Sequence, residues 1–87
     1  MFYIYFLKSQ KNKKIYTGFT TKNPHDRLNE HNHSSNKWTE QNGPFELLYY
    51  ESYCCEKDAR QRELFYKTGF GRKVRDCVLT AVNNKGR

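Results

Sequence analysis

"FYIYFLKSQKNKKIYTGFT", residues 2–20, is the stretch on which the fold turns. Two runs dense in aromatic and β-branched residues, 2–7 and 14–20, flank the polar "KSQKNK", and that pattern reads as a β-hairpin with a short loop. A loop over Ser9–Asn12 sets Lys8 opposite Lys13. Counting back then puts Tyr5 opposite Tyr16 and Tyr3 opposite Gly18, all on one face. Ile4, Phe6, Ile15 and Phe19 share the other face and supply the core. The hairpin therefore predicts two neighbouring phenols.

A helix is expected next. Asn23 suits the N-cap, Pro24 the first helical position, and Asp26 the first turn, where a carboxylate favours the helix start. Arg27 and His31 lie four apart and so project from one face. Residues 33–44 read as a loop closed by Gly43-Pro44, and 45–53, "FELLYYESY", as a strand apolar on both faces and covered by helices. A second helix is predicted from Glu56 to Thr68, stopped by Gly69, with Ala59 and Glu63 on one face and Tyr66 three residues on. A third, over 72–83, carries Val74, Cys77, Val78, Ala81 and Val82 as an apolar stripe. The expected class is α+β, a three-stranded antiparallel sheet flanked by three helices in the order ββαβαα. One domain spans 1–83, and a polar tail, 84–87, is frayed.

Eighty-seven residues make one domain with a modest core, and its 16% aromatic content lets a few rings fill it. The net charge of +7 and pI near 9.5 suit a polyanion. Bases crowd two regions: Lys8, Lys11, Lys13, Lys14 and Lys22 without an acid, and seven bases over 57–75. The three cysteines, two adjacent, do not form a disulfide framework, and the chain reads as reduced and cytoplasmic. "MFYIYFLK" is too short to span a membrane and lacks the pattern of a cleaved leader.

Tyr5, Tyr16, Arg27, His31 and Glu63 form the set that phosphodiester hydrolysis needs. A guanidinium forks onto phosphate oxygens and stabilises charge developing in the transition state. A carboxylate holds a divalent cation, and a phenol beside cations accepts a proton more readily than one in water. Each residue also has an ordinary reading: strand tyrosines pack, a helical Arg–His pair is solvated, and Glu63 between Arg60 and Arg62 joins a surface charge lattice. A zinc cluster from His25, His31, His33 and the cysteines is the weaker metal alternative, because adjacent Cys54-Cys55 fits no usual ligand spacing.

Five segments in order complete the picture: Tyr3-Ile4-Tyr5, Tyr16-Thr17-Gly18, "RLNEHN" at 27–32, "PFELLYYE" at 44–51 and "DARQRELFYKTGFGRK" at 58–73. Together, over about residues 2–80, they resemble the GIY-YIG endonuclease superfamily, in particular small stand-alone members similar to the nuclease domain of structure-selective junction endonucleases. Tyr3 and Thr17 depart from the usual Gly and Ile. Phe19 stands where some relatives carry Lys. The resemblance implies a nuclease in which Tyr5 and Tyr16 line the cleft, with Tyr16 the preferred general base. It makes Arg27 the phosphate-binding Arg, His31 the group orienting base or nucleophile, and Glu63 the sole protein ligand of Mg²⁺ or Mn²⁺. Gly18 would let substrate approach the backbone closely.

The expected function is metal-dependent cleavage of single-stranded or branched DNA, with RNA left open, by a protein that is a monomer or weak homodimer and is not membrane-bound. Lys8, Lys13, Lys14, Arg60, Lys67, Arg72 and Lys73 would hold the phosphate backbone without reading sequence. The competing expectation is a nucleic-acid-binding or scaffold module that keeps the fold without turnover.

Overall fold

The computed structural model describes residues 1–34 and 36–85, with side chains up to Asn83. Strands β1 (Phe2–Ser9) and β2 (Ile15–Thr20) form the hairpin, followed by α1 (Pro24–His33), a short α2 (Lys37–Asn42), β3 (Phe45–Tyr53), α3 (Glu56–Tyr66) and α4 (Gly69–Lys85). The sheet is antiparallel, in the order β2-β1-β3. The α+β class and three-stranded sheet hold, with α2 added where a loop was expected.

β1 is the middle strand, which explains its unbroken apolar run: Ile4, Tyr5, Phe6 and Leu7 are all buried. The two faces feed separate cores. Ile4 and Phe6 pack with Ala59 and Tyr66 under α3, while Tyr5 and Leu7 pack with Phe45 and half-buried Leu28 of α1. The expectation that β3 is covered on both faces fails for the same reason. It is an edge strand, with Glu46, Tyr50 and Ser52 exposed.

The hairpin keeps its predicted faces, but its register is shifted by two residues. Tyr5 pairs with Gly18, Leu7 with Tyr16 and Lys8 with Ile15. The cause is Ser9, fully buried, whose Oγ accepts from the amides of Lys11 and Asn12, both at 3.1 Å, and donates to Asn42 O. These bonds hold a longer turn, with Lys13 in the left-handed region at φ 63°. An even shift leaves every side chain on its original face.

Asn23 caps α1 as expected, its Oδ1 accepting from His25 N at 2.9 Å. Gly69 does not end α3 but opens α4. Thr68 holds the junction, its Oγ1 accepting from Gly71 N at 2.9 Å and donating to Phe65 O at 2.7 Å. Gly71 is buried against α3, where a Cβ would lie 2.9 Å from Tyr66 Cα. α4 runs through residues 84 and 85, expected in the tail; 86 and 87 lie outside the described residues. Only part of its stripe is used: Val74 meets the core, joined by Leu79 from outside the stripe, whereas Cys77, expected there, is exposed. Among the described residues no helix is long and apolar enough to cross a membrane.

On the α3 side, the Glu51 carboxylate accepts from the hydroxyls of Tyr49, Tyr66 and Tyr53 at 2.8, 2.7 and 2.5 Å, with Arg62 Nε at 3.3 Å. Burial pushes Glu51 up, but the three phenols and Arg62 outweigh it and hold its carboxyl below the usual value. Burial and Glu51 together push all three phenols above theirs. A lowered acid stabilises the fold above its unfolded pKa of about 4.3, and raised phenols do so below theirs of about 10. The contribution of this network to stability should therefore be flat between these values. It should fall on the acid side as Glu51 protonates and on the alkaline side as the phenols ionise. Denaturant midpoints across pH check this. Glu51→Gln should lose about 2 kcal/mol at neutral pH and show a smaller acid limb.

Candidate active site

The site forms on the sheet face under α1 and α2. Gly18 leaves its place on that face empty, and the Tyr5 ring lies over it; a Cβ there would come 2.8 Å from Tyr5 Cε2 and closer still to the ring's far end. The glycine expected to admit substrate thus admits Tyr5, with no positive φ involved. This cross-strand packing directs the phenol to His31, with Oη 3.2 Å from Nε2. His31 is steadied by its neighbour: Asn32 Nδ2 donates to Phe45 O at 3.1 Å and Asn32 Oδ1 accepts from Phe45 N at 2.8 Å. That two-way amide lock ties the end of α1 to the first residue of β3.

Tyr16 is fixed by two amides. Its hydroxyl donates to Asn42 Oδ1 at 3.1 Å and accepts from Asn12 Nδ2 at 3.2 Å, and Asn12 Nδ2 also donates to Asn42 Oδ1 at 3.0 Å. α2 supplies Asn42 and the Trp38 ring. Trp38 stacks on Phe45 with centroids 5.0 Å apart, meets Tyr16 edge-on at 5.3 Å, and remains 42% exposed. Tyr5, Tyr16, Gly18, His31 and Trp38 thereby line an aromatic recess of about 150 Å³.

Charge enters from two sides. Arg27 Nη1 pairs with Glu30 Oε2 at 3.0 Å, and Glu30 Oε1 also holds Lys22. The Glu63 side chain is only 13% exposed, and its carboxylate lies 3.2 Å from Lys67 Nζ and 3.6 Å from Arg60 Nη1. Burial pushes the Tyr5 phenol above its ordinary value; Arg27 pulls it down, while Glu63 and Glu30 reinforce the rise. Burial, then Arg27, holds His31 below the usual 6.5, so the imidazole is neutral at pH 7. The four groups Tyr5, His31, Arg27 and Glu63 therefore act on one electrostatic neighbourhood.

A wider cleft of about 390 Å³ opens beside Tyr16 and Thr17, edged by Lys67, Arg72 and Arg75. The other expected backbone contacts are dispersed. Lys13 and Lys14 are exposed in the hairpin turn, and Lys73 is exposed on α4. Lys8 lines a separate recess with Asp76. Arg60 lies over a ring of the hairpin, its guanidinium 3.6 Å from the Phe19 centroid, and stays exposed.

The zinc ligands considered from sequence do not converge. His25 meets Tyr50 edge-on, His33 Nδ1 lies 2.8 Å from Asn29 O, and all three cysteines are exposed. Among the described residues no three His, Cys, Asp or Glu side chains gather at one point. Sequence reading missed Asn12 and Asn42 as site residues. Asn36, which caps α2 through Thr39 N at 2.9 Å, was the available signal.

Residues 1–75 match the family model of the GIY-YIG catalytic domain. The chain belongs to this family, which places it in a nuclease superfamily. It is 37% identical over 86 residues to UPF0213 protein CPE1444 of Clostridium perfringens (strain 13 / Type A), covering 98% of this chain and 86% of that protein. No solved structure matches the chain.

The Tyr5–Gly18 packing makes a sharp prediction. Gly18→Ala should cost about 1–3 kcal/mol in the wild type and far less in a Tyr5→Ala background, because the clash needs both side chains. A double-mutant cycle by denaturant unfolding measures this. Equal cost in both backgrounds would contradict the packing.

Proposed function

We propose that this protein is a divalent-metal-dependent endonuclease that hydrolyses phosphodiester bonds in DNA whose strand is unpaired or branched. The observation that carries the reading is the Tyr5–His31 contact, on which Arg27 and Glu63 both act. Glu63 would hold a hydrated Mg²⁺ or Mn²⁺, which supplies positive charge at the phosphate and acidifies a water. A lone carboxylate suits a cation that keeps most of its waters, and Glu63's present partners, Lys67 at 3.2 Å and Arg60 at 3.6 Å, are half-exposed side chains that can swing away. Arg27 forks onto two non-bridging phosphate oxygens. Its solvent-exposed pair with Glu30 is screened by water and yields readily to a doubly hydrogen-bonded phosphate.

The raised Tyr5 phenol does not ionise alone near neutrality, and neutral His31 in its Nδ1–H form resolves this. As water attacks phosphorus, it gives its proton to Tyr5 Oη while the phenol proton passes to His31 Nε2. The bond to the leaving oxygen breaks, and that oxygen takes a proton from solvent. Tyr16, whose hydroxyl proton is committed to Asn42, then lines and shapes the cleft. This supports Tyr5 over Tyr16 as the proton acceptor. Lys67, Arg72 and Arg75 carry the strand past Tyr16, and exposed Trp38 offers a ring on which an unpaired base stacks.

One observation favours a module that binds without turnover: Glu63 and Arg27 are both already partnered by charges of this chain. Cleavage of supercoiled plasmid and single-stranded DNA, measured beside binding, separates the readings. Glu63→Ala and Arg27→Ala should lower cleavage by about 10²–10³-fold, with binding largely kept by Glu63→Ala. Binding by every protein with nicking by none would support the module.

The proton route makes a further prediction. Cleavage should decline as pH falls below the ordinary histidine value of about 6.5, since protonated His31 accepts nothing. Tyr5→Phe and His31→Phe should each cost about 10²-fold or more, and Tyr16→Phe less. The reverse order would assign the proton to Tyr16.

A further inference from the structure

One cation belongs both to Glu63 and to the basic cleft. Glu63 lies in the last turn of α3 and Lys67 caps that helix one turn on, the favourable order for a helical ion pair, with Lys67 Nζ 3.2 Å from Glu63 Oε2. Lys67 also edges the cleft of about 390 Å³, where the first turns of α4 bring Arg72 and Arg75 beside it. Arg75 is the enclosed member, its side chain 16% exposed and paired with Asp76 at 3.0 Å. Three cations thus edge one opening, and one of them is held back by Glu63. We propose that Lys67 is an autoinhibitory latch: a backbone phosphate entering the cleft draws its ammonium off Glu63, so that nucleic acid opens this carboxylate to the metal.

Two features give this part to Lys67. The Glu63 side chain is 13% exposed, whereas Lys67 is half-exposed on a flexible four-carbon stem, so the ammonium is the partner that moves. Arg60, the other cation at Glu63, has seats of its own, 3.6 Å from the Phe19 centroid and 3.8 Å from Glu56; the second seat open to Lys67 is the cleft. An ammonium and a divalent cation repel each other strongly on one carboxylate, so each displaces the other. Phosphate removes the conflict by offering Lys67 another anion. Metal and nucleic acid then bind with positive coupling, and by linkage each tightens the other by the same factor. The latch rests on the nuclease reading, in which Glu63 is the metal ligand, and adds what unlocks it.

Mn²⁺ binding to the full chain tests the latch, read from the electron paramagnetic resonance of the free ion at fixed ionic strength. Each protein is titrated with and without a short single-stranded phosphorothioate oligonucleotide, and Glu63→Ala supplies the blank for ions held elsewhere. Wild type should gain about tenfold in Mn²⁺ affinity when saturated with oligonucleotide. Lys67→Met keeps the stem and removes the charge. It should bind Mn²⁺ about threefold more tightly than wild type without oligonucleotide, and gain less from adding it. Lys67→Arg, which restores the charge, should return both values towards wild type. Lys67→Met binding Mn²⁺ alone no more tightly than wild type, or gaining as much from oligonucleotide, would overturn the latch and leave the metal site standing. Equal Mn²⁺ binding by Glu63→Ala and wild type would overturn the metal site itself, and the latch with it.

Discussion

The packing of the Tyr5 ring over Gly18 is the contact on which the rest of the site depends. β1 has a strand on each side, and its side chains from Ile4 to Leu7 are buried. Placing a phenol there, opposite a residue with no side chain, fixes the hydroxyl without leaving it free to swing. The ring fills the gap, and the hydroxyl emerges at His31. Any larger residue at 18 would push the phenol away from the imidazole, and the charged groups around them would lose their common target.

Around that contact, polar side chains do the holding that a small core leaves undone. Ser9 gathers two amides of the turn and reaches Asn42, which in turn holds Asn12 and Tyr16. Asn32 pins α1 to β3 by both its amide groups. The opposite face of the sheet is held differently, by three tyrosines and Arg62 converging on Glu51. One face thus carries a charge-assisted structural network and the other a recess with exposed aromatic edges. The division follows from alternation along β1, whose odd residues serve the site and whose even residues serve the α3 core.

Much of this was legible in the sequence because period and capping are local. Asn23, Pro24 and Asp26 announce α1, and the alternation from Phe2 to Leu7 gives the correct faces even with the register misjudged. The register itself was not legible, since it depends on Ser9 bonding across to Asn42, thirty-three residues away. α2 escaped because six residues carry no helical period, and what keeps it in place is the stacking of Trp38 on Phe45. The α4 stripe misled for the opposite reason. Its periodicity is genuine, but the sheet occupies one flank, and Cys77 points away from it. The candidate residues Tyr5, His31, Arg27 and Glu63 were nameable from the five motifs. That the His31 contact belongs to Tyr5 and not to Tyr16 required coordinates.

The central claim is that a single carboxylate, held between Arg60 and Lys67, provides the cation's protein ligand within the field of the Tyr5–His31 pair. Anomalous diffraction from crystals grown with Mn²⁺ and a short uncleavable oligonucleotide addresses it most directly. The account predicts a manganese peak at the Glu63 carboxylate, with a backbone phosphate between it and the Tyr5 hydroxyl. A peak at other groups, or a phosphate bound with Glu63 still closed onto Arg60 and Lys67, would contradict it.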